Sequence, residues 1–441
     1  MRSIILTAFL FIFILGWKTN EFTDWIIISS ILVTGFAFTI SGMHFNRYHM
    51  VIFVVFFILI FYSLVIAEGS LLINYAADFQ PLLRAVRALI NFIGAISIVY
   101  IYYTIYGNNF SKHLMLHIYA VLVIHAVILL VMSVDASIRS QVYSITWNFA
   151  VTAYDTGPRN WGVRVSGVTV GLASTSLVQC FGLLIAPALL AMWRDKISVT
   201  LAVVISSPLL VNSLFLTGRS GMLIGIVLAP WVIYLNFLGD RQRVLQMFRL
   251  GFGLLIVFTL MPTFFNFLSP QYRALYFQRA GIVLDVLQFE EVQDIEILQS
   301  MYFLPDNFVV TIFGSSNLGR SDALAYIPSD IGYVLIIHAI GVIGLLMTLF
   351  PLLFGISSAW KVRNFDVYLG SSTVILVVAS LIFNGKEIAL LTRHQWSIQA
   401  LLICACFLLL AQRENQEQSD RKKIPHSLSV RTAQRQDVLQ S

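Results

Sequence analysis

Apolar stretches long enough to cross a bilayer recur from one end of this chain to the other, and no other feature restricts its fold as strongly. A hydrocarbon core about 30 Å thick takes about 20 mostly apolar residues per crossing helix. Hydropathy windows place spans at 3–17, 25–41, 49–67, 85–106, 114–134 and 168–192, then at 197–216, 220–238, 249–268, 331–354, 367–384 and 396–411. A soluble helical core would interrupt such runs with charges. Here 58% of residues are hydrophobic and 11% charged, so the expected fold is an all-α polytopic membrane protein of about 12 transmembrane helices. The first run follows a lone Arg2 like a secretory signal, but no small-residue cleavage site follows it, and it reads as a retained first helix. Cys180, Cys404 and Cys406 all lie inside apolar runs and read as packing residues, with neither a disulfide framework nor a zinc cluster suggested.

Charge orients the chain. With the N-terminus inside, Arg47, Lys112, Arg194 with Lys196, Arg241 with Arg243, and Lys361 with Arg363 fall in short cytoplasmic loops, as the positive-inside rule requires. Both termini are then cytoplasmic. Residues 1–411 form the transmembrane domain, and 412–441, poor in apolar residues and carrying Arg421, Lys422 and Lys423, read as a disordered cytoplasmic tail. Two long connections, 135–167 and 268–330, fall outside, where function tends to reside. Within the second, Asp285 to Tyr302 mixes carboxylates with apolar residues at helical spacing, the pattern of an amphipathic helix at the membrane surface or of a helix packed over the bundle mouth. There is no tandem repeat of 20 to 50 residues and no clear inverted repeat, which weighs against a transporter.

The outer side is rich in arginine. Arg84, Arg87, Arg139, Arg159, Arg164, Arg219, Arg273, Arg279, Arg320 and Arg393 fall there, against Lys18 and Lys386. Solubility alone would accept lysine. The planar guanidinium instead donates paired hydrogen bonds to phosphate oxygens and stays charged in dry surroundings, so a phosphate-bearing ligand is the expected partner. Lipid headgroups and outer acids such as Asp155, Asp285 and Glu290 are the competing partners for any single arginine. Arg219 stands out because Thr217-Gly218-Arg219-Ser220-Gly221 is a tight turn between two spans. Its glycines allow close backbone approach, Ser220 can cap the next helix, and the helix N-terminus adds free N–H groups, which together describe an anion site.

Three stretches resemble the bacterial O-antigen polymerases and, more distantly, the O-antigen ligases. Arg164-Val165-Ser166-Gly167, leading to Ser174, Thr175 and Ser176, is similar to the family's Arg-x-x-Gly lead into a helix. Thr217-Gly218-Arg219-Ser220-Gly221 is similar to its short Ser/Thr-Arg turn. Leu304-Pro305-Asp306-Asn307 through Ile312-Phe313-Gly314, then Ser329-Asp330-Ile331-Gly332-Tyr333 and Gly341-Val342-Ile343-Gly344, resemble the end of its large outer loop and the next span. The resemblance covers residues 160–350. It departs at Gly314-Ser315-Ser316, where a second glycine is usual, and the His-Asn pair expected of a ligase after the large loop is missing, which favours polymerase over ligase.

The resemblance implies a C-type glycosyltransferase-like fold at the outer, periplasmic face of a bacterial inner membrane. Its partners would be an undecaprenyl-diphosphate-linked oligosaccharide, the lipid bilayer and a chain-length regulator protein, with no nucleic acid and no cofactor. Arg219, Arg164 and Arg320 are then expected at the diphosphate, with Arg159, Arg273, Arg279 and Arg393 as further contacts to diphosphate or glycan. No compact acidic motif for a divalent metal stands in the outer loops, so arginines would replace the metal. A general base must be a carboxylate or histidine near the outer face, and Asp330 and His394 are the positions expected. Asp330 reads equally as the cap of a helix starting near Ile331, and His394, in Thr392-Arg393-His394-Gln395-Trp396, as part of an interfacial belt. His338 is either a polar packing residue or a lining of the lipid cavity. Trp147, Tyr154, Trp161, Tyr272, Tyr276 and Tyr302 can stack on sugars or anchor the interface. A ligase acting on lipid A core and a polysaccharide flippase are the rival functions, though a flippase calls for mid-span charges that are almost absent.

Overall fold

A computed structural model describes residues 2–20, 23–40, 42–146, 165–169, 171–237, 293–318, 324 and 326–423. They form, in chain order, α1 (Arg2–Leu15), α2 (Trp25–Ile40), α3 (Arg47–Asn74), α4 (Gln80–Tyr106), α5 (Phe110–Val134), α6 (Ala136–Ile145), α7 (Leu172–Met192), α8 (Ile197–Thr217), α9 (Arg219–Phe237), α10 (Gln293–Ser300), α11 (Phe308–Phe313), α12 (Gly332–Val362), α13 (Val367–Phe383) and α14 (Arg393–Lys423). Among the described residues there is no β-strand, and an isolated antiparallel bridge from Lys18 to Asp24 closes the turn between α1 and α2. Six helical segments among the described residues are long and apolar enough to cross a membrane, and four shorter apolar helices accompany them. Helices satisfy every internal backbone group without water, which is what lipid demands. The chain is an all-α, multi-pass membrane protein.

One of the six segments, Gln80–Val134, is a hairpin. Tyr102 Oη lies 2.6 Å from His117 Nδ1, 15 residues on, a separation that continuous helix would stretch to about 22 Å. The rings of Tyr106 and His113 stack with centroids 3.9 Å apart across the same turn. Gly107, at φ +54°, supplies the reversal between α4 and α5.

Contacts sort the helix ends into two groups. At one end Ser3 Oγ meets His117 Nε2 at 2.8 Å, the Ser111 hydroxyl donates to Asp366 at 2.9 Å, and Arg47 and Tyr48 both engage Glu414. At the other end lie Ile14, Asp24, Arg87 and Arg393, joined by the contacts described below. Helix α14 runs from this second group to the first. The apolar windows of α7 and α14 are 89% buried and that of α3 only 33%, so α7 and α14 form the centre while α3 faces outward. Polar residues on the two central helices must therefore find partners inside the protein.

Helix α12 is broken at Gly341, where φ is +67° and ψ −177°. The carbonyls of His338 and Ala339, freed by the break, accept from the backbone N–H groups of Ser315 and Ser316 at 2.9 and 2.8 Å. The Ser316 hydroxyl donates in turn to Asp78 O at 2.7 Å, and Tyr62 Oη donates to Phe313 O at 3.0 Å, so the 314–316 loop is tied to α3 and to the turn before α4. A helix break in a membrane protein stands only where protein replaces the lost bonds, and here the loop replaces them.

Several expected boundaries move. The tail expected at 412–441 is corrected at its start, because α14 continues to Lys423. Arg413 Nε donates to Glu417 at 3.1 Å one turn on, and Glu414 pairs with Arg47, interactions that a hydropathy window does not register. Of the amphipathic helix expected at 285–302, Gln293–Ser300 is helical and the rest before it lies outside the described residues. The expected span 249–268 lies outside them as well.

Candidate functional site

The site begins with a carboxylate in a tight turn. Asp24 stands before α2, accepts from Ile26 N at 3.1 Å, and so holds its negative charge against the positive end of that helix. Arg87, on the second turn of α4, places Nε 3.2 Å from Asp24 Oδ2. Arg393, the first residue of α14, reaches Asp24 Oδ1 through Nη2. Side-chain exposure is 6% for Asp24, 18% for Arg87 and 11% for Arg393, so this is a buried triad and not a surface pair. Two guanidinium groups share one carboxylate, which leaves one positive charge in excess.

The following residues stitch the triad into the bundle. A carbonyl can only accept, so His394 Nδ1, 3.0 Å from Ile14 O, carries the proton and Nε2 of the neutral ring is left as an acceptor. Trp396 Nε1 donates to Ala88 O at 2.9 Å, and Asn91 donates to the Ser397 hydroxyl at 2.7 Å, fixing α14 on α4. Gln395 Nε2 donates to Ser174 O at 3.1 Å and so connects the triad to the start of α7. Two residues further along α7, the Ser176 hydroxyl accepts from Gly221 N at 2.9 Å. The Gly218–Gly221 turn is thereby seated beside the same helix end. Gly221 has no room for a side chain, since a Cβ would stand 2.3 Å from Ser176 O.

Beneath these residues His125 of α5 is fully buried, with Nδ1 2.6 Å from Gln179 Nε2, and Ser213 of α8 donates to Gln179 Oε1 at 3.1 Å. Gly167, at φ +64°, lies directly over the ring, and a Cβ there would stand 2.3 Å from His125 Nε2. The Arg-x-x-Gly stretch thus needs its glycine for both conformation and space. Gly167→Ala is expected to cost about 2 kcal/mol, read as a lowered denaturation midpoint of the purified protein. Adding His125→Ala is expected to return part of the loss by opening room.

Arg393 Nε, His394 Nε2 and Gln395 Oε1 are buried without a hydrogen-bond partner among the described residues. Buried polar atoms in native proteins are almost always paired, so three in succession beside two guanidinium groups single out this cluster as the candidate site. The arrangement can hold an anion against Arg87 and Arg393, and it offers His394 Nε2 as a proton acceptor at its edge.

Of the residues expected from sequence, Arg393 and His394 come together here. Arg219 opens α9, but its side chain lies outside the described residues, as do Arg159, Arg164, Arg273, Arg279 and Arg320. Asp330 is exposed just ahead of α12 and does not cap it: Ile331 occupies the cap position and Ile331 N donates to the Ser329 hydroxyl at 3.1 Å. Asp24, His125 and Gln395 escaped sequence reasoning. Asp24 looks like an ordinary helix cap, and its meaning appears only when two arginines distant in sequence arrive beside it. Among the described residues no group of three or more His, Cys, Asp or Glu is placed to hold a metal ion. No protein-family model matches the chain, and no curated protein is significantly similar to it.

Proposed function

We propose that this chain is a glycosyltransferase that polymerises lipid-linked oligosaccharide repeat units of an O-antigen or related surface polysaccharide. It would act at the outer face of a bacterial inner membrane, through twelve spans with both termini cytoplasmic. The observation that supports this reading best is the buried Arg87–Asp24–Arg393 triad, with its excess positive charge and unsatisfied neighbours, on the same helix ends as the Gly218–Gly221 turn. In the reaction the bond from the anomeric carbon to undecaprenyl diphosphate breaks and a new one forms to a sugar hydroxyl of the next lipid-linked unit. Charge gathers on the departing diphosphate, where fixed guanidinium groups are worth most because they need no reorganisation. The hydroxyl proton passes to a base, for which His394 Nε2 is already free because Nδ1 is committed to Ile14 O.

Deleting the gene is expected to leave lipopolysaccharide core capped by a single repeat unit. A core with no attached repeat would instead indicate a ligase, and an unaltered ladder would reject both. Arg219→Lys keeps the charge and removes the paired donor geometry, so it is expected to slow polymerisation on the order of tenfold to a hundredfold, visible as shortened chains. Near-normal chain length in that variant would remove Arg219 from the site.

A further inference from the structure

The end of the bundle away from the triad carries a second kind of charge cluster. Four pairs of a cation over an aromatic ring join described residues: Arg47 over Tyr48, Lys196 over Trp193, Arg363 over Trp360 and Arg413 over Phe365. All four lie at the end that holds Glu414, His113 and Asp366. Two of them converge on the turn between α12 and α13, where Arg363 Cζ stands 4.8 Å from the centre of the Trp360 ring and Arg413 Cζ, from α14, 4.9 Å from that of Phe365. Both rings are exposed. The nearby acids are engaged elsewhere or weakly held. Asp366 accepts from Leu369 N at 3.1 Å and from the Ser111 hydroxyl at 2.9 Å. Glu417 meets Arg413 as an exposed pair one turn apart, which is worth little. Arg363 and its neighbour Lys361 have no acidic partner among the described residues.

Leading to this turn, α12 presents an apolar stripe. Leu346, Phe350, Leu353 and Trp360 are all exposed, and their spacings of four, three and seven residues place them on one face of the helix with Trp360 at its foot. A stripe on a membrane-spanning helix that ends in an exposed tryptophan and two guanidinium groups braced on rings complements an amphiphile with acyl chains and an anionic head. We propose that the turn between α12 and α13 binds an anionic glycerophospholipid of the surrounding bilayer, its chains along the α12 stripe and its phosphate on Arg363 and Arg413. The rings keep both guanidinium groups at the foot of the stripe, where they donate to phosphate oxygens. A zwitterionic head brings its own ammonium group and gains far less. Arg413 exchanges a solvent-screened carboxylate for the phosphate, and Lys361 adds positive charge beside it. The site is separate from the triad, and neither depends on the other.

The test reconstitutes the full chain in phosphatidylcholine vesicles with increasing fractions of phosphatidylglycerol or phosphatidylcholine brominated on the acyl chains, and reads the quenching of Trp360 fluorescence. The Trp360 signal is the difference between the wild type and Trp360→Phe, which keeps a ring under Arg363. Each cation at a membrane surface favours an anionic lipid by about fivefold, so brominated phosphatidylglycerol is expected to half-quench Trp360 at about a fivefold lower mole fraction than brominated phosphatidylcholine. Arg363→Gln with Arg413→Gln is expected to abolish that preference. Arg363→Lys with Arg413→Lys keeps the charge and is expected to retain about half of it. Equal quenching of the wild type by the two lipids would overturn the assignment, as would a preference no lower in the glutamine variant than in the lysine variant. Loss of the preference on adding millimolar glycerol phosphate would also overturn it, because the site would then be one for free phosphate.

Discussion

Asp24→Asn is expected to destabilise the protein by about 3–5 kcal/mol, because it strips from two buried guanidinium groups the one acidic partner they have among the described residues and leaves them facing each other. The measurement is the thermal midpoint of the purified chain, with abundance in the membrane fraction as a second readout. The pair Asp24→Asn with Arg87→Gln returns the net charge to its wild-type value and removes the repulsion between the two guanidinium groups, so it is expected to regain part of the stability, with Arg393 still lacking its carboxylate. Polymerisation in the double variant separates structure from function. If the triad only holds helices together, chain length returns with stability; if it holds the diphosphate, as proposed, the double variant folds and still makes short chains. An Asp24→Asn protein as stable as the wild type would mean that the three charges do not depend on one another.

Gly341→Ala is expected to cost about 3 kcal/mol or more and to disturb the first turns of α12, ahead of the break. Two effects combine. The conformation at φ +67° and ψ −177° is essentially reserved for glycine, and a Cβ would stand 2.2 Å from Ile312 O, a backbone atom that has no rotamer with which to move aside. Gly314 faces it in mirror fashion, at φ +88° with its would-be Cβ 2.5 Å from Ala339 O, so the two glycines let two backbones touch. Relief of the contact requires the 314–316 loop to withdraw, which exposes the carbonyls of His338 and Ala339 that Ser315 and Ser316 now satisfy. Faster proteolysis within 303–318 at unchanged denaturant is the expected sign. A variant as protease-resistant and as stable as the wild type would contradict the contact.

The helices were legible because lipid leaves a chain so few options: apolar runs became helices within a few residues of their hydropathy limits for α2, α8 and α13. Ends were less legible where polar side chains carry a helix onward, as Glu414 does for α14 through Arg47. Hydropathy could not see the break at Gly341, since the residues around it are apolar apart from His338 and the signal is a backbone angle. The candidate site was half legible. Arg393 and His394 announced themselves as polar residues at the edge of a span, and Gly167 and Gly221 as motif glycines. Asp24 and Gln395 did not, because their importance comes from partners 63 and 221 positions away in the chain for Arg87 and Ser174, respectively. Pairings of that kind are decided by helix packing, which composition and periodicity do not encode.

Helix α14 is anchored at both ends, by Arg393 on Asp24 and by Glu414 on Arg47. The two anchor points are 21 residues apart, about 32 Å along a helix, which matches the thickness of a hydrocarbon core. A helix pinned in this way cannot answer a thicker or thinner bilayer by tilting or sliding unless one of its ion pairs opens. Hydrophobic mismatch therefore acts directly on the charged residues at the head of the helix. Bilayer thickness, varied through the acyl-chain length of reconstituted membranes, becomes a control on the geometry of the triad, with the narrowest tolerance near the native thickness.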